Sequence, residues 1–302
     1  MITRFSELID VVLQAEPAKV AVAAAQVVAV LMACQMACEQ GLARFTLFGD
    51  QAKIESAAAK AGVKLAGMKI IHEADDFRSA MRAVEYVSTG SASIVMKGMI
   101  NTGDLLRAVL DKSVGLRTGR VLSHLAVFEL AGFDRLIGVT DGGMNIAPTL
   151  AQKADIIQNA AAVFRHFGVD SVKVAVLAAV ETVNADMPGT IDASALAKMA
   201  DRGQLKGAIV DGPLALDNAV SEEAARHKGI ISPVAGKADI LLVPNIEVGN
   251  VLGKSLVYMA GGKIAGLIAG ASKPVVVTSR ADTPESKVIS IAMASLCSRD
   301  KK

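Results

Sequence analysis

Short runs of β-forming residues alternate with helix-length segments along almost the whole chain. VAVAAA (20–25), FTLFG (45–49), KIIHE (69–73) and SIVMKG (93–98) are each followed by a segment long enough for a helix. This alternation is typical of βαβ units, in which a helix returns the chain to the start of the next parallel strand. The pattern therefore predicts an α/β fold with mostly parallel sheets.

The alternation is interrupted after Gly119 and then resumes. RVLSHLAVFEL and DRLIGVTDG are separated only by AGF, which indicates adjacent strands in a hairpin and a crossing to a second domain. A second series of predicted strands follows: VKVAVLAAV (172–180), KGAIVDG (206–212), ADILLVP (238–244) and KIAGLIAG (263–270). We expect the last strand, PVVVT (274–278), to return to the first sheet. The predicted first domain is then discontinuous, 1–131 plus 266–302, and the second is 132–265.

Composition excludes some classes of partner. A chain of 302 residues suits two domains, and a net charge of +2 gives no strong field for nucleic acid. With two Tyr, eight Phe and no Trp, few rings are available for stacking on bases. Three sparse cysteines indicate core thiols in a reducing cytoplasm. We expect a cytoplasmic protein that does not bind nucleic acid.

One uncharged segment, Val20 to Cys38, is long enough to approach a membrane span. It is mostly Ala and short Val runs, it is interrupted by Gln26 and Gln35, and it does not follow a basic leader. We interpret it as strand, turn and helix, so we expect no membrane association.

Polar, glycine-rich segments follow the predicted strands: MKGMINTGD, TDGGMN, DGPLALDN, PNIEVGN and TSRAD. In open α/β sheets, ligands bind beyond the carboxyl ends of the strands. Five such loops from the two halves of the chain predict one ligand-binding interdomain cleft.

Gly253-Lys254-Ser255 resembles the end of a P-loop. A P-loop needs a glycine five positions before the second one, but Val248 stands there and Gly249 comes one residue too late. The weaker interpretation is that VGN opens a helix after a strand, since helix N-termini attract anions without a P-loop.

Other catalytic patterns are missing. The sequence has no G-x-S-x-G and no G-x-G-x-x-G after the early strands, and the four histidines stand in unrelated contexts, His124 being the least settled. The helical carboxylate pair of a metal-dependent hydroxyacid dehydrogenase is also missing, so we predict no metal site.

Basic residues cluster at the predicted strand ends: Lys97, Arg107, Arg117, Arg120, Lys254 and Arg280. Each alone could be a solvated surface charge. Together they would form a cationic cleft suited to phosphate groups.

Several blocks resemble one enzyme family. DGPLALDNAVS (211–221), SPVAGKADILLVPNIEVGNVLGKSL (232–256) and PVVVTSRAD (274–282) are similar to the C-terminal blocks of the phosphate acetyl/butyryl transferase family. MKGMINTGDLLRAVL and GLRTGRVLSH resemble its butyryl branch. The resemblance implies a two-domain fold like that of the isocitrate and isopropylmalate dehydrogenases. It also implies acyl-CoA and inorganic phosphate as substrates, no metal, no tightly bound cofactor, and a homodimer or higher homo-oligomer.

The implied reaction exchanges a butanoyl group between coenzyme A and phosphate. By resemblance, Ser279 would contact the thiol sulfur and Arg280 the phosphate or developing oxyanion, with Arg107 and Arg120 as further phosphate ligands. Ser279 could instead be a turn residue and Arg107 a solvated helix residue. The residues expected to bind coenzyme A are Lys97, Asn145, Asp211, Gly249, Asn250 and Lys254. Small residues in GMINTG and GGMNIAP are candidate walls of the acyl pocket, or simply turn residues.

One departure from the family concerns the base. Acetyl-specific members carry an aspartate seven positions after the serine of the SR pair, where this chain has Ser286. Asp282 or Glu285 could replace that base, but Asp282-Thr283-Pro284-Glu285 also has the spacing of a helix capping box. The difference favours the butyryl branch over the acetyl branch.

Three alternatives stay open at this point. The chain could be a phosphate acetyltransferase, a metal- and NAD-dependent decarboxylating dehydrogenase of similar fold, or a non-catalytic relative that only binds acyl-CoA. The missing carboxylate pair argues against the dehydrogenase, and the unassigned base motivates the non-catalytic reading.

Overall fold

The structure is a computed structural model that describes residues 1–279 and 281–299. Its contacts divide the chain into two compact units. The central unit comprises Met1–Arg4 and Val121–Ile264, and the terminal unit comprises Phe5–Arg120 and Ala265–Lys302. Residues 121–131, which the sequence interpretation assigned to the first domain, cluster with the central unit because the strand they contain pairs with the next strand of that unit.

The strands, in chain order, are β1 (Ala18–Ala23), β2 (Ala43–Gly49), β3 (Lys69–His72), β4 (Ile94–Lys97), β5 (Ser123–Glu129), β6 (Ile137–Thr140), β7 (Val172–Leu177), β8 (Ala208–Leu214), β9 (Ile240–Leu242), β10 (Lys263–Ala269) and β11 (Val275–Val276). The helices are α1 (Phe5–Leu13), α2 (Val28–Glu39), α3 (Gln51–Ala61), α4 (Asp76–Ser88), α5 (Thr102–Val109), α6 (Leu150–His166), α7 (Pro188–Asp201), α8 (Leu216–Val220), α9 (Glu222–His227), α10 (Ile246–Tyr258) and α11 (Pro284–Cys297). The expected α/β class is confirmed.

The strand order of the terminal unit is β3-β2-β1-β4-β11-β10. All pairs from β3 to β11 are parallel, while β10 runs antiparallel to β11. The predicted return of the chain to the first sheet is confirmed, because Val276 pairs in parallel with Met96 of β4. β11 is shorter than the five-residue run predicted for it.

The strand order of the central unit is β5-β6-β9-β7-β8. β5 and β6 form the predicted antiparallel hairpin, with Leu125 opposite Thr140, and the other pairs are parallel. Phe128 of β5, Val139 of β6 and Leu241 of β9 lie in one buried apolar cluster. Ala and Val recur in these strands because both faces of a parallel sheet are covered.

The uncharged segment at 20–38 folds as strand, turn and helix, as predicted. Val20–Ala23 belong to β1, and α2 begins at Val28. Of the helices in the described part of the chain, none is long and apolar enough to cross a membrane.

Local signals explain where several helices begin and end. Thr149 and Gln152 form a reciprocal capping box at the start of α6. Asp50 caps α3, and Gly62 ends it in the left-handed conformation that glycine adopts without a steric penalty.

Candidate active site

The order in which the chain adds strands to the terminal unit reverses between the parallel strands β1 and β4. The chain proceeds from β1 to β2 and β3 on one side, and then returns to β4 on the other side of β1. Ligands of doubly wound sheets bind at such switch points, beyond the carboxyl ends of the strands. Here the two strand-end loops pack closely, since a Cβ on Gly98 would lie 2.1 Å from the carbonyl oxygen of Ala24. The Ser79 hydroxyl accepts the Ala24 N–H at 2.8 Å and holds that loop in place.

Lys97 is the last residue of β4 and pairs with Ala23 of β1. Its side chain is mostly buried, with 9% of the residue exposed, and Nζ lies 3.5 Å from the Gly98 carbonyl oxygen. An ammonium in this position adds positive charge at the carboxyl edge of the sheet, as expected from the sequence.

Ser279 reaches the same edge. Because Val276 of β11 is opposite Met96 of β4, Ser279 lies beyond the strand end on the side of Lys97 and Gly98. Neighbouring strands are about 4.8 Å apart. Ser279 is exposed, so its hydroxyl is accessible to a ligand. Arg280, the other half of the predicted pair, lies outside the described residues.

Short-range hydrogen bonds link Ser279, Ala281 and Asp282. The Ser279 N–H donates to Oδ2 of Asp282 at 2.7 Å, and the Asp282 N–H donates to the Ser279 carbonyl at 3.2 Å. The Ala281 N–H donates to Oγ of Ser279 at 3.3 Å. The Asp282 carboxylate is therefore engaged with the backbone of the residue expected to contact the thiol.

The capping-box interpretation of Asp282 and Glu285 is wrong. Thr283 is the N-cap of α11, and its hydroxyl accepts the Ser286 N–H at 3.2 Å. Pro284 occupies the first helical turn, a position that suits its fixed φ and missing N–H. The pKa of Glu285 is lowered, mainly because its own backbone N–H bonds the carboxylate and then because Thr283 does.

Lys287 lies inside the fold, behind this segment. Its Nζ donates to the carbonyl oxygens of Ser279 at 2.9 Å and Asp282 at 3.0 Å, and only 2% of the residue is exposed. The sequence interpretation missed it, because a buried lysine and a solvated one look the same in a single sequence. The one signal in the sequence that Lys287 is buried was its position, one turn after the cap of an otherwise apolar helix.

Arg107 lies on α5, which follows β4. Its Nη2 bonds Oδ1 of Asp104 at 2.6 Å, and its guanidinium carbon lies 4.2 Å from the centre of the Phe77 ring. Asn101 caps the helix by accepting the Asp104 N–H at 2.8 Å. The Arg107 side chain is 66% exposed, so its remaining donors can reach a ligand.

Arg120 follows a stretch that is attached to the terminal unit away from Ser279. The Arg120 N–H donates to Thr118 Oγ1 at 3.3 Å. Thr118 Oγ1 donates to the Gly270 carbonyl at 2.5 Å, and the Ser272 N–H donates to the Leu116 carbonyl at 2.9 Å. The 270–272 turn precedes β11, at the end of that strand opposite to Ser279. The role of Arg120 as a phosphate ligand stays a prediction.

In the central unit, Asp141 organises the loop after β6. Its carboxylate accepts five hydrogen bonds, from the N–H groups of His124, Gly143, Met144 and Asn145 and from the Asn145 side chain. Only 2% of Asp141 is exposed. The Asn145 amide, expected to bind coenzyme A, also donates to the Leu122 carbonyl at 2.9 Å, so both of its protons are used within the protein.

This loop packs against the first turns of α10. A Cβ on Gly249 would lie 2.6 Å from Gly142 Cα, and a Cβ on Gly142 would lie 2.7 Å from the Gly249 carbonyl carbon. The Ile246 N–H donates to the Ile146 carbonyl at 2.9 Å, and Nδ2 of Asn250 lies 3.5 Å from the Gly142 carbonyl oxygen. Glycine is thus required at both positions for backbone packing.

Gly253-Lys254-Ser255 does not form a P-loop. All three residues lie inside α10, which begins at Ile246 and is capped by Asn245. At 1.5 Å per residue, Lys254 stands about 13 Å along the axis from the cap. The rejection of a nucleotide P-loop is confirmed, and Lys254 is an exposed side chain in the middle of the helix.

Asp211 is separated from the Asp141 loop. It lies on β8, at the edge of the central unit, three strands away from Val139 of β6 in register, or about 14 Å. It borders a hollow of about 390 Å³ that is also lined by Ala197, Ile209 and Ile231.

Comparison with known proteins gives consistent results. A family model described as "Phosphate acetyl/butaryl transferase" matches residues 77–295. The chain is 51% identical to a phosphate butyryltransferase of Clostridium acetobutylicum, over 100% of both chains. It is 46% identical to a phosphate acetyltransferase of Thermotoga maritima, over 92% of this chain and 94% of the relative.

Solved structures agree with the fold. A branched-chain phosphotransacylase from Enterococcus faecalis superposes with a TM-score of 0.81 and 36% identity, covering 92% of this chain and 99% of that one. A 4-hydroxythreonine-4-phosphate dehydrogenase from Klebsiella pneumoniae, at TM-score 0.59 and 14% identity over 93% and 100% of the two chains, shares the fold alone. The expected likeness to dehydrogenase folds is therefore confirmed. With the family model matching most of the sequence, the chain belongs to the phosphate acetyl/butyryl transferase family.

Proposed function

We propose that this chain transfers a short acyl group between coenzyme A and inorganic phosphate, with butanoyl-CoA as its main acyl donor. The observation that carries the proposal is the exposure of Ser279 together with the hydrogen bonds that hold its backbone. Its hydroxyl is exposed at the carboxyl end of β11, while its N–H and carbonyl are both held by hydrogen bonds. The same sheet edge carries the Lys97 ammonium, and α5, which follows β4, carries Arg107 in its last turn.

In this reaction a phosphate oxygen attacks the thioester carbonyl, a C–O bond forms, and the C–S bond breaks to release the thiolate of coenzyme A. Negative charge passes through the carbonyl oxygen to the sulfur. The Ser279 hydroxyl donates a hydrogen bond to that sulfur, and Arg280, Lys97 and Arg107 neutralise the phosphate. Such groups accelerate the step by holding two anionic reactants together and by stabilising the charge that develops.

The forward direction needs no protein base, because phosphate is already an anion. In our proposal the Asp282 carboxylate accepts the backbone N–H of Ser279 and holds that residue in place. Asp282 is therefore no longer the first candidate for the base. We further propose that Gly249 and Asn250 help to bind coenzyme A, and that the enzyme acts as a cytoplasmic homodimer. The family resemblance supports these assignments.

The test is a rate profile across acetyl-, propanoyl-, butanoyl- and isobutanoyl-CoA with inorganic phosphate, following both free thiol and acyl phosphate. We expect the highest kcat/KM with a four-carbon acyl group. Each methylene is worth about 0.8 kcal/mol when buried, which corresponds to a preference of several-fold per carbon. A maximum with acetyl-CoA would instead assign a phosphate acetyltransferase. NAD reduction in the presence of Mg²⁺ and a hydroxy acid would assign a dehydrogenase.

A further inference from the structure

Three lysines in the described part of the chain are buried, Lys97, Lys153 and Lys287, and the partners of the two most deeply buried ones differ. Lys153 is 5% exposed and pairs with the Asp192 carboxylate at 2.7 Å. Lys287 is 2% exposed, and its Nζ donates instead to the backbone carbonyls of Ser279 and Asp282. Burying an ammonium group is unfavourable unless its hydrogen bonds and charge are compensated, and two neutral carbonyls compensate less than a carboxylate.

Burial makes the charged form of Lys287 less favourable. Burial lowers the pKa of the Lys287 ammonium, and the Asp282 carboxylate partly opposes this effect. A methionine of similar length would fill the same space without the desolvation penalty. Stability alone therefore gives little reason for a lysine at this position, whereas a function at the segment that it contacts would give one.

That segment is the one that carries the Ser279 hydroxyl. The Ser279 carbonyl accepts from both the Asp282 N–H and Lys287 Nζ, and Oγ accepts from the Ala281 N–H. A serine hydroxyl has one proton to donate, and with Oγ oriented by an incoming N–H this proton is left for an external acceptor. Lys287 holds the Ser279 carbonyl from the interior, while Ser279 itself is exposed.

We propose that Lys287 is a positioning residue, whose ammonium joins the carbonyls of Ser279 and Asp282 and thereby aims the Ser279 hydroxyl at the thioester sulfur. This inference rests on the proposed acyl transfer and deepens it, because it names the internal support of the group that contacts the leaving sulfur. Lys287 touches no substrate. It acts only through Ser279.

The test is a double-mutant cycle of Lys287→Met and Ser279→Ala, measured as kcat and KM for butanoyl-CoA and phosphate. We expect Lys287→Met to lower kcat by about tenfold to a hundredfold, the effect of a misplacement of roughly 1 Å, with both KM values within about threefold of the wild type. In the Ser279→Ala background the same change should lower kcat by less than about threefold, since the group being aimed is gone.

Two variants serve as controls. Lys287→Arg keeps the charge and the donors, so we expect it to recover part of the kcat lost in Lys287→Met. Lys153→Met removes a buried lysine that pairs with a carboxylate and leaves Asp192 unpaired, so we expect a lower melting temperature with an unchanged kcat. A Lys287→Met protein that melts at or above the wild-type temperature while losing kcat would separate positioning from stability.

A second readout does not depend on turnover. Hydrogen exchange measured on peptides that cover 277–283 should be faster in Lys287→Met than in the wild type, because the Ser279 and Asp282 N–H groups lose their restraint, and it should be unchanged in Lys153→Met. An equal loss of kcat in both backgrounds of the cycle, or unchanged kcat together with unchanged exchange, would overturn the inference. If the wild type forms no acyl phosphate, the proposed function fails, and the exchange result alone decides the role of Lys287.

Discussion

The carboxylate of Asp282 accepts a 2.7 Å hydrogen bond from the backbone N–H of Ser279. The aspartate therefore acts on the conformation of the chain that carries the serine. A carboxylate that is engaged in this way is a poorer candidate for a base that must reach a thiol. The distinction between these two roles can be measured.

Replacement of Asp282 separates positioning from base catalysis. Asp282→Asn keeps an oxygen that can accept the Ser279 N–H, so we expect kcat within about threefold of the wild type, whereas Asp282→Ala removes the acceptor and should lower kcat by about tenfold or more. The measurement is kcat in the direction that consumes coenzyme A and butanoyl phosphate, since that direction needs a deprotonated thiol. Equal, large losses in both variants would instead identify Asp282 as the base.

Arg107 should contribute to phosphate binding. Its guanidinium is oriented by Asp104 and the Phe77 ring and still has free donors at the exposed edge. We expect Arg107→Gln to raise the KM for phosphate by about tenfold, as for the loss of one charge-assisted contact. Arg44→Gln, an exposed arginine near the amino end of β2, is the matched control and should leave this KM unchanged. An unchanged KM in Arg107→Gln would show that Arg107 is only a solvated helix residue.

The two glycines of α10 should respond in opposite ways to alanine. Gly249→Ala places a Cβ 2.6 Å from Gly142 Cα, so we expect the free energy of unfolding to fall by about 1–3 kcal/mol. Gly253→Ala adds a methyl group at 3.4 Å from Phe128, in the middle of the helix, and should raise the free energy of unfolding by up to about 1 kcal/mol. Urea titration measures both. Loss of activity in Gly253→Ala would instead indicate that Gly253-Lys254-Ser255 binds phosphate.

Asp141 should be essential for the fold of the central unit. Asp141→Asn replaces one acceptor oxygen by an NH₂ group that faces N–H donors, and we expect a loss of about 2 kcal/mol or more in the free energy of unfolding. Asp134→Asn is the control, because that carboxylate is 86% exposed and its bond to Arg135 lies at the surface. A surface pair of this kind contributes about 0–1 kcal/mol. Similar losses in the two variants would contradict the structural role of Asp141.

The thiol of Cys297, a partly buried residue, gives a pH dependence with a defined sign. Burial raises the pKa of Cys297 from 9.0 to about 12, so the folded state keeps a proton that the unfolded chain releases. The free energy of unfolding should therefore lose this contribution as the pH rises from about 9 towards 12, and be unaffected by it below 9. Cys297→Ala should reduce that slope. Alkylation at pH 8 should be slow at Cys297 in the native protein and fast in urea.

The sequence alone predicted the parts of the fold that depend on periodic patterns. Alternating β-rich and helical runs predicted the parallel strands, the close spacing of two runs predicted the β5–β6 hairpin, and PVVVT predicted the returning strand β11. Each of these follows from which residues must be buried. The predicted domain boundary lies after residue 131, in the loop between the two hairpin strands, whereas the units divide after Arg120, where the alternation is interrupted. The sequence pattern shows this interruption but does not assign the first hairpin strand to either domain.

The roles of individual loop residues were harder to predict. The cap of α11 is Thr283 because Pro284 suits the first helical position, and this signal was present in the sequence. The partners of Asp282, Asp141 and Lys287 depend on backbone groups brought together by the fold. Residue type and spacing cannot specify those partners, since the same carboxylate or ammonium could equally be solvated.

In the proposed reaction the Ser279 hydroxyl is the group that assists departure of the thiolate. The decisive measurement is the initial rate of butanoyl phosphate formation from butanoyl-CoA and phosphate, by the wild type and by Ser279→Ala at equal concentration of folded protein. We predict rapid turnover by the wild type and a kcat lower by about a hundredfold in Ser279→Ala, as for the loss of one donor to a developing charge. An undiminished kcat in Ser279→Ala would contradict the role of the Ser279 hydroxyl in thiolate departure.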